Sequence, residues 1–158
     1  MYKRILVPLD GSTFAERALP HALEIARATN GELHLLTVVP LLDNQSMAVV
    51  DLYPMYVYRS FTVDQSQEME RLQADLRAYL EELCRRAASG GVRAEPVVRS
   101  GQPAEEIISY AHEAGCDLIV MSTHGRSGIG RWVYGSVADK VLRGADVPVL
   151  LVRARAEE

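Results

Sequence analysis

Asp117-Leu118-Ile119-Val120-Met121 is a short apolar run. After it come Gly125-Arg126-Ser127-Gly128-Ile129-Gly130-Arg131-Trp132-Val133-Tyr134-Gly135-Ser136 and then the helical pattern Val137-Ala138-Asp139-Lys140-Val141-Leu142-Arg143. A strand that runs into a glycine-rich loop and then a helix is how an α/β protein builds an anion site. Glycine lets the backbone come close to a ligand, the free N–H groups of the first helical turn point at it, and the helix dipole favours negative charge there. The stretch predicts a site for a phosphate-bearing ligand, a nucleotide before others.

The same alternation extends outward along the chain. Arg4–Pro8 is a continuous apolar run, the mark of a buried parallel strand, and Asp10-Gly11-Ser12 ends it. Thr13 and Glu16 stand at capping-box spacing, so a helix is predicted from there, with Ala15, Ala18, Leu19, Ala22, Leu23 and Ala26 as its apolar stripe. Pro20 is expected to kink it and Asn30-Gly31 to stop it. Glu32–Val39 reads as a second strand. Residues 40–64 have no clear period and collect Pro40, Met47, Tyr53, Pro54, Met55, Tyr56, Tyr58 and Phe61, which suggests either a lid or partner surface, or a loop folded over the domain's own edge. Gln65–Ala88 is an amphipathic helix with Met69, Leu72, Leu76, Tyr79, Leu80 and Leu83 on one face. Val92–Arg99 is a third strand that Pro96 demotes to a sheet edge. Pro103 opens a helix running to about Ala114, Leu118–Met121 is the fourth strand, and Val147–Val152 is the fifth.

Strands alternating with helices predict a five-stranded parallel sheet covered by helices on both faces, one domain over residues 1–158. Right-handed crossovers and the edge-marking Pro96 favour the order 3-2-1-4-5. That order reverses its winding between the first and fourth strands, where ligands of such sheets collect. The segments expected to meet there are Pro8-Leu9-Asp10-Gly11-Ser12 and Met121-Ser122-Thr123-His124-Gly125.

The 158 residues are 48% hydrophobic and 24% charged, ordinary for a globular protein. The formal net charge of −4 argues against a nucleic-acid binder. Ile5-Leu6-Val7 is broken at once by Pro8 and Asp10, too short for a signal core or a membrane span. Cys84 and Cys116 have no CxxC pairing, so both read as reduced and buried, and a cytoplasmic location with no membrane partner is expected.

Two common phosphate motifs fail. Gly130 to Gly135 has Walker A glycine spacing, but Ser136 stands where that loop needs Lys. Gly128-Ile129-Gly130 begins a dinucleotide fingerprint, but Val133 takes the third glycine's place. A third pattern fits. Ser122-Thr123-His124-Gly125, the nine residues Arg126 to Tyr134, and Gly135-Ser136 resemble the Gly-x-x-Gly, nine-residue, Gly-Ser/Thr signature of the universal stress protein family in its ATP-binding branch. The opening Ile5–Ser12, Pro103–Ile107, Asp117–Met121 and the ending Val147–Val152 resemble that family too. The resemblance implies an adenine nucleotide alpha hydrolase-like fold, ATP with Mg²⁺ as ligand, and a homodimer built on the last strand. Residue by residue, it implies that Pro8 and Asp10 lie at the ligand, Asp10 on ribose or phosphates. Val38 would border the adenine, and Met121 and Ser122 would line the nucleoside. Gly125, Gly135, Ser136 and Val137 would hold phosphates. Ser122 departs from the signature's first Gly, which matters if that position needs positive φ.

Plainer readings stand beside these. Asp10 also suits a helix cap. His124 has no orienting partner in sequence, and His21, His34 and His112 show no metal spacing, so no catalytic or metal-ligating residue is assigned. Arg126 and Arg131 read equally as phosphate clamps or solvated surface. The apolar Val147–Val152 edge would aggregate if left bare, and pairing with a second copy removes the hazard. The expected function is ATP-linked regulation in a stress response, by binding rather than fast turnover. Slow ATP hydrolysis or phosphoryl transfer at the same site, and an interaction module with an empty site, are the alternatives.

Overall fold

Ile5, Leu6 and Val7 are all fully buried, although successive strand residues point to opposite faces. Both faces of this strand must therefore be covered, and the pairing shows how. In the computed structural model, which describes residues 1–39, 65–124 and 135–154, β1 (Arg4–Pro8) lies between β2 (Glu32–Val39) and β4 (Leu118–His124). With β3 (Arg93–Ser100) outside β2 and β5 (Val149–Ala154) outside β4, the parallel sheet has the order β3-β2-β1-β4-β5. Fold and strand order are those read from the sequence. The reading of residues 40–64 as a lid or edge loop falls outside the described residues.

The two faces separate cleanly by strand alternation. On one, Ile5, Val7, Leu33, Leu35, Leu118 and Val120 pack with Ala18, Ala22 and Ala26 of α2 (Ala18–Thr29) and Leu80, Leu83 and Ala87 of α3 (Gln65–Ser89). On the other, Leu6, Leu36, Val38, Ile119 and Met121 pack with Ala104, Ile107 and Ala111 of α4 (Pro103–Glu113) and Ala138 and Val141 of α5 (Ser136–Gly144). Small residues on α2 and α4 let the helices sit close to the sheet.

Several element ends differ from expectation, each for a local reason. Ser12, not Thr13, caps α1 (Thr13–Glu16), accepting from the Ala15 N–H at 3.1 Å, so Glu16 is left out of a capping box and instead accepts from the Tyr79 hydroxyl at 2.9 Å. The kink expected at Pro20 is a break at Arg17: the Pro20 ring has no N–H for the Glu16 carbonyl and would collide with it. Asn30, at φ 50°, terminates α2 in the left-handed conformation. β3 begins at Arg93, one residue late, and pairs with β2 alone, which places Pro96 on an edge strand. β4 continues past Met121 to His124. The last strand starts at Val149 instead of Val147, because Pro148 has no N–H to give the ladder; its carbonyl accepts from the Ile119 N–H at 3.0 Å.

Leu80 is fully buried beneath α3. Leu80→Ala is expected to cost about 2–5 kcal/mol, read as a lowered urea midpoint at unchanged slope.

Candidate functional site

The C-terminal end of β1 is fixed by hydrogen bonds on each side of the chain. The Leu9 N–H donates to the Leu36 carbonyl at 2.8 Å, and the buried Thr37 hydroxyl donates to the Leu9 carbonyl at 3.0 Å. The turn that follows requires glycine, since Gly11 sits at φ +80°. This turn folds the Asp10 carboxylate onto Ser12: Oδ1 accepts from the Ser12 N–H at 2.9 Å and from the Ser12 hydroxyl at 2.5 Å. Asp10 therefore does not cap α1 itself; Ser12 does so while donating to Asp10. Ser12 falls within the segment expected at the site but had no role assigned to it, and Thr37 was not among the expected residues. The Asp-Gly-Ser spacing carried the signal, since an Asp side chain readily bonds the backbone two residues on.

β1 and β4 are neighbours only near their starts. Their register pairs are Ile5↔Leu118 and Leu6↔Ile119; β1 then runs on to Pro8 and β4 to His124 with no further pair between them. Beyond that point β4 pairs on its other edge, Met121 with Leu151 and Ser122 with Val152. Ser122 is thus in a regular strand and not at positive φ, so serine there carries no backbone strain. Val38 and Met121 are buried, at 3% and 6% exposure, on the face covered by α4 and α5. Pro8 and Asp10 are half-buried at the end of β1.

Gly135 is the N-cap of α5, with no side-chain cap, and Ser136 and Val137 open the helix. The first-turn amides thus have no side-chain cap, an arrangement suited to an anion. A Cβ at Gly135 meets nothing within 4 Å among the described residues, and φ −54°, ψ 151° suits any residue. Its own fold, so far as described, does not demand glycine there. Gly125, Arg126, Arg131, Trp132 and Tyr134 lie outside the described residues, as does the His124 side chain. The structure thus gathers Pro8 and Asp10 on one side of the strand reversal and Met121 and Ser122 on the other.

A second polar cluster lies away from these strand ends. Buried His34 on β2 meets the Tyr110 hydroxyl at 2.8 Å and Glu95 at 2.9 Å through Nδ1, while its Nε2 stands 3.7 Å from Glu32 Oε1 and has no hydrogen-bond partner among the described residues. Burial, then the Glu95 carboxylate, pushes the Tyr110 phenol well above its ordinary range. Arg99 bonds Glu106 and Glu113, and holds the Glu113 carboxyl down at about 2. These groups spend their charge on one another, which is the pattern of a structural network. Among the described residues no group of three or more His, Cys, Asp or Glu could hold a metal ion. A cavity of about 460 Å³, lined by Ile108, His112, Cys116, Ala145 and Val147 among others, lies by the starts of β4 and β5, at the opposite end of the strands.

The family model described as the universal stress protein family matches residues 1–153. The chain belongs to the universal stress protein family. Universal stress protein MJ0531 of Methanocaldococcus jannaschii is 32% identical over 160 residues, covering 100% of this chain and 86% of the relative. Among solved structures, protein MJ0577 of the same organism superposes with a TM-score of 0.76 at 26% identity, covering 99% of both chains. A universal stress protein solved in complex with cAMP superposes at 0.67 with 27% identity, covering 98% of both.

Aspartate is a better helix cap than glycine. Gly135→Asp is expected to raise the unfolding free energy by a few tenths, about 0.2–0.5 kcal/mol, in chemical denaturation.

Proposed function

We propose that this chain binds an adenine nucleotide, ATP with Mg²⁺, at the C-terminal ends of β1 and β4, and that it regulates by binding. The observation that carries this reading is the parting of β1 and β4 after Leu6↔Ile119, at the point where the strand order reverses. To it we assign an acceptor for a donor group, Asp10, and the start of α5 at Gly135, Ser136 and Val137, whose N-cap glycine gives the first-turn amides no side-chain bond. A nucleotide offers both partners, hydroxyl donors on the sugar and negative oxygens on the phosphates. The relative held in complex with cAMP supports the adenine class. ATP among adenine nucleotides follows from the resemblance of the Ser122–Ser136 signature to the ATP-binding branch.

Val38 and Met121 supply apolar walls for a base, and the family resemblance assigns Pro8, Ser122 and Gly125 to the same ligand. Ser136 replaces the lysine that a Walker A loop uses against the β- and γ-phosphates, which favours holding ATP over turning it over quickly. A regulator of this kind needs two states that bind nucleotide unequally, because equal affinity shifts no equilibrium. Two free cysteines whose thiols are pushed up by burial, Cys116 to about 11, suit a reducing compartment such as the cytoplasm.

We also propose that two copies pair through β5. Among the described residues this strand bonds only β4, and Leu150 is 37% exposed on it. An apolar edge left open is an invitation to further strand pairing, and a two-fold closes it. Light scattering at micromolar concentration should give the dimer mass, and Leu150→Lys should give the monomer; a wild-type monomer would sink the pairing.

Titration calorimetry of the wild-type protein with Mg-ATP should show saturable heat. The helix-stabilised Gly135→Asp variant should bind at least about 10-fold more weakly, since its carboxylate takes the amides and repels phosphate. No heat and no thermal shift at millimolar nucleotide would end the nucleotide reading.

A further inference from the structure

We propose that Ser12 is a positioning residue that aims Asp10 at a ribose hydroxyl, and so sets the protein's discrimination between ribo- and deoxynucleotides. The inference rests on the nucleotide reading above. Three hydrogen-bond contacts at the end of β1 form one directed network. The Ala15 N–H donates to Ser12 Oγ at 3.1 Å, Ser12 Oγ donates its hydrogen to Asp10 Oδ1 at 2.5 Å, and the Ser12 N–H donates to that same oxygen at 2.9 Å. A serine hydroxyl has one hydrogen. Because its acceptor side is occupied by the helix amide, that hydrogen has a fixed direction.

The consequence falls on the carboxylate. Two donors on Oδ1 lock the torsion of the Asp10 side chain, and Oδ2 takes no hydrogen bond among the described residues. The main chain beneath is held as well, by Thr37 on the Leu9 carbonyl and by Leu36 on the Leu9 amide. An ionised carboxylate can only accept. It repels phosphate and rewards a donor. With the amides of α5 suited to phosphates and Val38 and Met121 suited to a base, the sugar between them brings the 2′ and 3′ hydroxyls to the remaining oxygen. Without the Ser12 hydroxyl only the backbone N–H of residue 12 still holds Oδ1, so the carboxylate regains part of its rotamer freedom and a hydroxyl bond to it becomes costlier to form.

The experiment compares binding of ATP, 2′-deoxy-ATP, 3′-deoxy-ATP and inorganic tripolyphosphate to the full chain. A hydrogen bond to a charged acceptor predicts that the wild-type protein prefers ATP over at least one deoxy analogue by about 10-fold or more. Ser12→Ala, which removes cap and donor together, should reduce that ratio to below about 3. Ser12→Asp keeps a good helix cap without the donor and should do the same; Ser12→Thr keeps both and should retain the preference. Tripolyphosphate binding should change less than 3-fold in the alanine variant. A cap alone would move stability and leave the ratio untouched. If Ser12→Ala and Ser12→Asp keep the full ratio, or if wild-type protein binds ATP and both deoxy analogues equally, the positioning role is overturned while the nucleotide reading survives. If wild-type protein binds no ATP, that reading fails and this one with it.

Discussion

Parallel pairing of β1 on both of its edges is the constraint from which the rest follows. A strand with bonded neighbours on each side and helices above and below can expose nothing but its ends, so Ile5, Leu6 and Val7 are necessarily apolar. Parallel neighbours also demand long return connections. Those that extend the sheet towards β3 pass over the face of α2 and α3, and those that lead to β4 and β5 pass over the face of α4 and α5. The chain thus leaves β1 and β4 towards opposite sides. Only at that reversal can two strand ends separate without breaking the sheet, and there the ladder stops after Leu6↔Ile119.

The chemistry placed around the reversal is divided by sign. The turn after β1 carries a carboxylate, held by its own neighbour Ser12 and set on a glycine that no other residue could replace without strain. The start of α5 carries amides and no side-chain cap. A ligand with hydroxyls at one point and anionic oxygens at another satisfies both, whereas a purely anionic or purely basic ligand satisfies one and offends the other. Under the proposed reading, this division makes a net charge of −4 compatible with a phosphate-bearing ligand, because local dipoles act at shorter range than the overall charge.

Much of this was legible in the residues. The apolar run at Arg4–Pro8 and the segment Glu32–Val39 were read with the bounds these strands have, since turn residues stand at their ends, Asp10-Gly11 after the first and Asn30-Gly31 before the second. Pro96 marked the edge because a missing N–H is tolerated only there. What was misread depended on atoms rather than patterns. Ser12 and Thr13 are both good caps, and only the backbone angles decide between them. Pro148 moved β5 by removing a donor that hydropathy does not register. The partners of His34 lie 61 and 76 positions away in sequence, on β3 and α4, so no spacing rule joins them. Of the candidate site, Pro8, Met121 and Ser122 on strands and Asp10 in the turn after β1 were locatable once the order was known, while Ser12's hold on Asp10 needed coordinates.

The interruption at Arg17 has a mechanical meaning. Pro20 deletes the hydrogen bond that would weld α1 to α2, leaving one short helical turn as a separate rigid body between the carboxylate-bearing bend and the long helix behind it. That turn is held by the buried methyl of Ala15, by the Ser12 cap on the Ala15 N–H, and by a phenol-to-carboxylate bond from Tyr79 to Glu16, among other contacts. Between α1 and α2 the main chain therefore lacks one helical hydrogen bond, so the bend and the alanine seam of α2 are joined at Arg17 without a continuous ladder.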